Sequence, residues 1–337
     1  KSLNFAALRI KDAVADRFRA KVGVRPSVDT HYPQVRIHGH LDAQHLTLYI
    51  DTSGEPLFKR GWRQDKGDAP LKETLAAAIL AASGWQPQSG QALYDPCCGS
   101  GTTVIEAAQM ACRIAPGGQR RFAFERLLPH QPALWQQLLH EARAAEIRPQ
   151  DIFIFGSDVS HRIVDFAQRN AERAGVAHAV QLRGGDALQR MPPVDGTGVL
   201  LLNPPYGERI AAAGVAGQDA AARARRMADA GRERAVMTED AANGGEADFF
   251  ARLASHWKKH YVGWKAWVLS PDMTLPGRMR LQASRRVPLW NGPIECRLFC
   301  FDIVSGSPAK DRPERERRPP EKDTQEVHNR PRGNAAP

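Results

Sequence analysis

The sequence predicts an α/β fold with a mostly parallel, doubly wound sheet. Short runs such as 152–155 and 199–202 consist entirely of apolar residues, as expected of strands buried on both faces. Between them, 163–174 repeats apolar residues at helical spacing and ends at Gly175. Strands that alternate with helices in this way are typical of a parallel sheet covered on both sides.

The elements can be placed in order along the chain. A helix at 8–18 is followed by alternating strands at 35–38 and 46–50, which form either the end of a small α/β module or an accessory part of the core. The later elements are predicted as a helix at 72–82, a strand ending at Asp95, helices at 104–108 and 133–145, strands at 152–158 and 180–187, a helix after Asp158, a strand at 199–202, a helix at 249–261, a strand at 266–269 and a hairpin of 287–290 with 295–301 around Asn291-Gly292.

A glycine-rich bend, DPCCGSG at 95–101, connects the first core strand to its helix. Glycines allow a ligand to approach the backbone, and the N–H groups at the start of the helix face that ligand. The dinucleotide fingerprint is absent, because Val104 stands where its third glycine belongs and the next strand-end acid is Asp158. The P-loop motif is absent too, so the bend indicates a different adenosine-containing ligand.

Polar residues follow three further predicted strands. They are Asp158, Asp186 and, after the last strand, Asn203. Asp158 could accept both hydroxyls of a ribose, and Asp186 could accept the amino group of an adenine. Each acid could instead cap a helix or belong to a turn. Because open α/β sheets bind ligands at the carboxyl ends of their strands, the order of these acids favours binding.

The tetrapeptide Asn203-Pro204-Pro205-Tyr206 follows the last apolar run. A carboxamide, a rigid backbone carbonyl and an aromatic face together suit a planar base that carries an exocyclic NH2 group. This combination predicts chemistry on a nitrogen.

These motifs, in this order, resemble those of class I S-adenosylmethionine-dependent methyltransferases acting on exocyclic or amide nitrogens. The flanking sequences FKRGWR at 58–63 and APLKETLAAA at 69–78 resemble the stretch before the cofactor loop in THUMP-domain RNA methyltransferases. FER at 124–126, PALW at 132–135 and YGER at 206–209 are similar to the bacterial 23S ribosomal RNA guanine-N2 methyltransferases of the RlmL type. The similarity covers about residues 1–304.

The resemblance implies a Rossmann-like, seven-stranded sheet closed by an antiparallel hairpin, S-adenosyl-L-methionine as cofactor, and large-subunit ribosomal RNA, before its full assembly, as partner. It implies that the cofactor is bound by Asp95, Pro96, Cys97, Gly99, Ser100, Gly101, Thr102, Asp158, Asp186, Ala187 and Asn203. The implied catalytic residues are Asn203, Pro204, Pro205 and Tyr206.

The corresponding domains are the C-terminal part of a THUMP-like region at 1–64, a methyltransferase domain at 65–304 and a disordered charged tail at 305–337. Insertions are expected at about 113–149 and 211–248. The chain begins at Lys1 within the latter part of the THUMP pattern, so further residues upstream are expected. Family members are often fused to a second methyltransferase domain, whereas a polar tail follows here.

Composition supports a polyanionic partner. The 337 residues carry a formal net charge of +10, and the tail holds eight Lys/Arg against six Asp/Glu, so about +8 belongs to the rest of the chain. The sequence contains no apolar run of about 18 residues, as a membrane span would need, and residues 1–30 do not have the pattern of a signal peptide. Five cysteines indicate a reducing compartment, and none has zinc-site spacing, so a cytoplasmic protein without membrane or metal is expected.

Other functions share parts of this pattern. A DNA adenine-N6 methylase would use the same tetrapeptide, but the sequence contains no obvious helix-turn-helix reader. A protein glutamine methylase is disfavoured by the basic charge. A non-catalytic RNA-binding or assembly protein with this fold would not need an intact cofactor loop. Adjacent Cys97 and Cys98 are interpreted as small packing residues beside the cofactor, with a redox pair as the alternative.

Overall fold

The computed structural model describes residues 3–67, 70–151, 153–204 and 239–305. The helices are α1 (Leu3–Val22), α2 (Glu73–Ser83), α3 (Thr102–Ala111), α4 (Pro132–Ala144), α5 (His161–Arg173), α6 (Glu239–His260) and α7 (Leu275–Met279). The strands are β1 (Arg36–Leu41), β2 (Leu46–Asp51), β3 (Ala92–Asp95), β4 (Ile154–Asp158), β5 (Val180–Gly184), β6 (Gly198–Leu202), β7 (Lys265–Ser270), β8 (Arg285–Asn291) and β9 (Ile294–Asp302).

Seven strands form one sheet in the order β5-β4-β3-β6-β7-β9-β8. Strands β3 to β7 pair in parallel, and β9 runs antiparallel to both β7 and β8. The predicted parallel sheet with a closing hairpin is therefore confirmed. The direction of winding reverses between β3 and β6, which is where a doubly wound sheet leaves a crevice for a ligand.

Two apolar layers cover the sheet. Residues of α2, α3 and α5 pack with one face, around Leu80, Ile105 and Trp267. Residues of α6 and α7 pack with the other face, around Phe250, Trp257 and Leu200. Burial on both faces explains why the parallel strands are hydrophobic without alternation.

The N-terminal part forms a separate two-stranded sheet, β1 paired with β2, preceded by α1. The insertion at 113–149 contacts the segment that follows this sheet. The Arg120 guanidinium donates hydrogen bonds to the backbone carbonyls of Ser53 (3.0 Å), Pro56 (2.9 Å) and Glu55. Arg120 thus attaches the segment that follows β2 to the residues between α3 and α4.

Helix boundaries differ most from the predictions. Helix α1 extends beyond the predicted 8–18 at both ends, and α6 begins ten residues before the predicted 249. The short α7 was not predicted, because Pro276 and Gly277 are poor helix formers; the proline is tolerated since it lies in the first turn. The predicted tail at 305–337 lies, apart from Ser305, outside the described residues. Within the described ranges, no helix is both long and apolar enough to cross a membrane.

Candidate functional site

A cavity of about 640 Å³ opens at the carboxyl ends of the parallel strands. Its volume lies within the range of about 300–1,000 Å³ that small-ligand sites occupy. The predicted site residues that line it are Asp95, Pro96, Cys97, Gly99, Ser100, Thr102, Asp158, Ala187, Asn203 and Pro204. The fold therefore brings both predicted parts of the site, the glycine loop and the start of the tetrapeptide, to one cavity.

Four predicted residues are not among those lining residues. Gly101 is the N-cap of α3, with a φ of +89°. A Cβ on it would lie 3.0 Å from the Cδ1 atom of Ile105 and 3.1 Å from Cβ of Ala167, so glycine is required by both conformation and space. Asp186 lies just beyond β5 and accepts a hydrogen bond from the Leu188 backbone N–H at 2.9 Å. Pro205 and Tyr206 lie outside the described residues.

Asp95 is the most deeply buried acid of the cavity, with 2% of its surface exposed. Its carboxylate accepts a hydrogen bond from the Cys97 backbone N–H at 3.0 Å. Burial raises the pKa of Asp95 to about 7, and nearby Asp158 raises it further, whereas hydrogen bonds from Cys97 and Thr103 oppose the rise. No cationic side chain among the described residues pairs with this buried carboxyl group, which suits a ligand that brings positive charge.

Asp158 connects two strand ends. One carboxylate oxygen accepts the Gly99 N–H at 3.1 Å, and the other accepts the Ser160 N–H at 3.0 Å. Burial raises the pKa of this group as well. Because each carboxylate oxygen can accept more than one hydrogen bond, Asp158 can hold the loop and still accept from a ligand hydroxyl.

The glycine loop has the form that a cofactor such as S-adenosylmethionine requires. Gly99 adopts a φ of +55°, and a Cβ added there would meet open space. The loop precedes the N-terminus of α3, whose first residues, Thr102 and Thr103, also line the cavity. Backbone N–H groups and a buried acid at this point fit a ligand with a carboxylate and a cationic centre.

Burial raises the pKa of both Cys97 and Cys98 thiols, and the neighbouring carboxylates raise it further. Protonated thiols are poor nucleophiles. The environment therefore favours the interpretation of these cysteines as packing residues.

Arg63 stabilises the glycine loop (residues 95–101) and the start of α3 through side-chain hydrogen bonds. Its guanidinium donates to Ser100 Oγ (3.0 Å), to Thr102 Oγ1 (2.7 Å), to the Leu71 carbonyl (3.2 Å) and to the Glu73 carboxylate (2.7 Å). The ion pair is nearly buried, with 13% of the Arg63 side chain and 4% of the Glu73 side chain exposed. The sequence motif at 58–63 thus shapes the cofactor loop, a role that was not predicted for it.

Asn170 on α5 also stabilises the glycine loop, through the Ser100 backbone carbonyl. This fully buried side chain donates to the carbonyls of Ser100 (3.0 Å) and Asp65 (2.8 Å). Asp65 in turn accepts from Arg169 and Arg173, and these hydrogen bonds lower its pKa to about 2. The helical periodicity of α5 placed Asn170 on the buried face but did not indicate this contact.

Further lining residues were not predicted. Thr103, Val159, Ser160 and Ile163 lie next to or shortly after predicted residues, and the others come from distant parts of the sequence: Gly67, Pro70, Leu71, Phe249, Pro271, Asn291, Ile294 and Cys296. Of these, Asn291, Ile294 and Cys296 belong to the β8–β9 hairpin, which the sequence predicted as the closing hairpin but not as part of the site.

Several known proteins are similar to this chain over most of its length. Ribosomal RNA large subunit methyltransferase K/L of Shewanella loihica is 40% identical over 311 residues, which are 91% of this chain and 39% of the relative. The protein of the same name from Psychromonas ingrahamii is 37% identical over 92% of this chain and 38% of the relative. The chain thus spans about two fifths of the length of these relatives.

Solved structures show the same fold. SMU.472, which is described as a methyltransferase and was crystallised in complex with SAH, matches with a TM-score of 0.68 and 28% identity over 89% of this chain and 70% of its own. A protein described as a predicted N6-adenine-specific DNA methylase, from Listeria monocytogenes, matches with a TM-score of 0.66 and 26% identity over 87% of this chain and 66% of its own.

Family models match two parts of the sequence. A THUMP domain model matches residues 1–51, and the RMKL-like methyltransferase domain model matches residues 60–242, more than half of the chain. Together with the sheet order and the loop, these matches confirm the predicted class I methyltransferase fold and S-adenosylmethionine as the cofactor of its class. The chain belongs to the RMKL-like methyltransferase family.

Proposed function

We propose that this protein transfers a methyl group from S-adenosylmethionine to the exocyclic N2 amine of a guanine in 23S ribosomal RNA. The observation that carries the proposal is the single cavity that joins Asp95 and Asp158 to Asn203 and Pro204. The family supports it, since the curated relatives are named ribosomal RNA large subunit methyltransferases.

Separate residues bind the cofactor and the acceptor. Asp158 accepts the ribose hydroxyls, Asp186 accepts the adenine amino group, and Asp95 balances the positive charge of the cofactor. The loop residues Gly99 and Ser100 expose backbone to the methionine part. Of the remaining predicted cofactor residues, Pro96, Cys97, Thr102, Ala187 and Asn203 line the same cavity, and Gly101 is the N-cap of α3.

When bound, S-adenosylmethionine would supply a methyl group on a positively charged sulfur: the C–S bond breaks as the C–N bond forms, neutral S-adenosylhomocysteine leaves, and the methylated amine loses one proton to water. The guanine amine is a poor nucleophile, because its lone pair is delocalised into the ring. The Asn203 side-chain oxygen and the Pro204 carbonyl accept the two N–H groups of this amine. They favour a pyramidal nitrogen and stabilise the positive charge that develops on it.

Positioning contributes the rest of the proposed rate enhancement. Pro205 stiffens the turn, and Tyr206 stacks on the base, so that nitrogen and methyl group are held in line. A base inside a helix cannot reach such a cavity, so the guanine is expected to be flipped out or unpaired. We therefore propose that the substrate is large-subunit RNA before full assembly. Cytoplasmic localisation also remains a prediction from the sequence.

The test is methyl transfer from labelled S-adenosylmethionine to undermodified, protein-free large-subunit RNA, with assembled large subunits and genomic DNA in parallel. Products are digested to nucleosides and identified by mass. N2-methylguanosine from free RNA supports the proposal, and a much weaker signal from assembled subunits supports the timing. Cofactor binding without transfer to guanine would contradict it.

DNA adenine-N6 methylation is the second candidate, since the solved Listeria protein carries that description. The match of residues 1–51 to a THUMP domain favours RNA instead. N6-methyladenine in the genomic DNA arm would reverse that preference while leaving the roles of Asp158 and Asn203 in place.

A further inference from the structure

The β8–β9 hairpin projects beyond the neighbouring strand at the edge where the cavity opens. Ser270, the last residue of β7, pairs with Arg297, whereas β9 continues back through Cys296 to Ile294, which pairs with Asn291. At about 3.3 Å per residue, the three residues 294–296 carry the hairpin about 10 Å past the end of β7. In the sheet, only β7 lies between this hairpin and β6, the strand that ends at Asn203.

The projecting hairpin is part of the cavity wall. Asn291, Ile294 and Cys296 line the same cavity as Asn203 and Pro204. The hairpin therefore faces the acceptor side of the site across the end of β7, where Pro271 also lines the cavity.

Asn291 is the polar member of this wall. It is half-buried, and in the described part of the chain its side chain makes no hydrogen bond. Its hairpin neighbours in the wall, Ile294 and Cys296, are apolar or weakly polar. A carboxamide presents one acceptor and two donors, so Asn291 can both donate to and accept from a ligand.

We propose that Asn291 recognises the Watson–Crick edge of the acceptor guanine; this inference rests on the proposed function. With the N2 amine held at Asn203 and Pro204, the neighbouring groups on the guanine edge are the N1–H donor and the O6 acceptor. The Asn291 side-chain oxygen accepts from N1–H, and its NH2 group donates to O6. Enzymes that act on flipped bases read this edge by hydrogen bonds of this kind.

Asn291 is thus a specificity-determining residue, whereas Asn203 acts on the reacting nitrogen. The two roles can be separated with 2-aminopurine, which keeps the amine of guanine but lacks O6 and has an acceptor in place of N1–H. An enzyme that reads N1–H and O6 should prefer guanine by about tenfold or more, since unpaired polar groups in the site are costly.

The experiment first locates the methylated guanosine in the free RNA, and then uses synthetic RNA that contains this guanosine or 2-aminopurine at the same position. For Asn291→Ala we expect kcat/KM with guanine to fall about tenfold, the effect of losing one or two neutral hydrogen bonds, while kcat/KM with 2-aminopurine changes little. The preference for guanine should therefore largely disappear. Gln282→Ala, which removes an exposed amide outside the cavity lining, should keep the wild-type preference.

Binding of S-adenosylhomocysteine, measured by calorimetry, reports whether each variant retains its pocket. An equal loss with both bases, or no loss with either, would overturn the role of Asn291 while leaving guanine methylation intact. Absence of guanine methylation by the unaltered protein would instead overturn the proposed function, and the inference with it.

Discussion

Replacing Asp95 by Asn should stabilise the protein in the absence of ligand, although it removes a residue from the site. Asp95 is 2% exposed, and the side-chain oxygen of an Asn at this position can still accept the Cys97 N–H. The substitution thus keeps the shape and the hydrogen bond from Cys97 but removes a charge that burial disfavours.

The size of the effect follows from the pKa. Burial raises the pKa of Asp95 from 3.8 to about 7, so the folded state holds a proton that the unfolded chain releases. The stability associated with this proton is fully present below pH 3.8 and is lost as the pH rises through about 7. At about 1.4 kcal/mol for each pH unit between the two values, Asp95→Asn should stabilise by up to about 4 kcal/mol above pH 7.

Urea unfolding of the ligand-free protein at pH 5, 7 and 8.5 measures this difference. The free energy of unfolding of the variant should exceed that of the unaltered protein by a margin that grows with pH and levels off above 7. Asp16→Asn is the matched control, because Asp16 lies on the exposed part of α1. A variant that is less stable at pH 8.5, or a margin that does not depend on pH, would refute the reasoning.

Four other substitutions test the site and its support. Asp158→Ala should weaken S-adenosylhomocysteine binding about 10- to 100-fold, as measured by calorimetry, since it removes charge-assisted hydrogen bonds. Asn203→Ala should lower kcat by about 100-fold at nearly unchanged affinity for that ligand, and a large loss of affinity would contradict the division of roles. Arg63→Ala should destabilise by about 3–5 kcal/mol in urea unfolding, because it leaves Glu73 buried and unpaired; adding Glu73→Gln should restore part of the loss. Gly101→Ala should lower the melting temperature, with a cost of about 1–3 kcal/mol, because its φ of +89° and its contacts exclude a side chain.

The sequence predicted the sheet and one side of the cavity because the relevant signals are local. Each strand is a short apolar run, and its polar residue follows directly at the carboxyl end, as Asp95, Asp158 and Asn203 do. Parallel strands bring their carboxyl ends to the same edge, so residues far apart in the chain could be assigned to one site. The closing hairpin was predicted for the same reason, since Asn291-Gly292 is a strong turn signal between two alternating runs.

The supporting residues could not be predicted in this way, because their partners are distant in sequence. Arg63 acts on Ser100, 37 positions later, and Asn170 reaches the same residue from 70 positions away. Neither side chain belongs to a motif whose spacing specifies a partner. Asn291 was interpreted only as a turn residue, since its place in the cavity depends on how far the hairpin extends past β7.

The buried acids explain how stability and binding oppose each other at this site. Ionising Asp95 costs free energy in the ligand-free protein because burial gives the carboxylate too little solvation. A cationic ligand in the cavity supplies the missing partner, so binding should draw the pKa of Asp95 down and be tighter at pH 8 than at pH 6. The Arg63 guanidinium is already paired with the Glu73 carboxylate, so Asp95 is available to the ligand. Within the described part of the chain, Asp95 therefore has no cationic partner where the cofactor's positive charge is expected, and this lowers stability when the cofactor is absent.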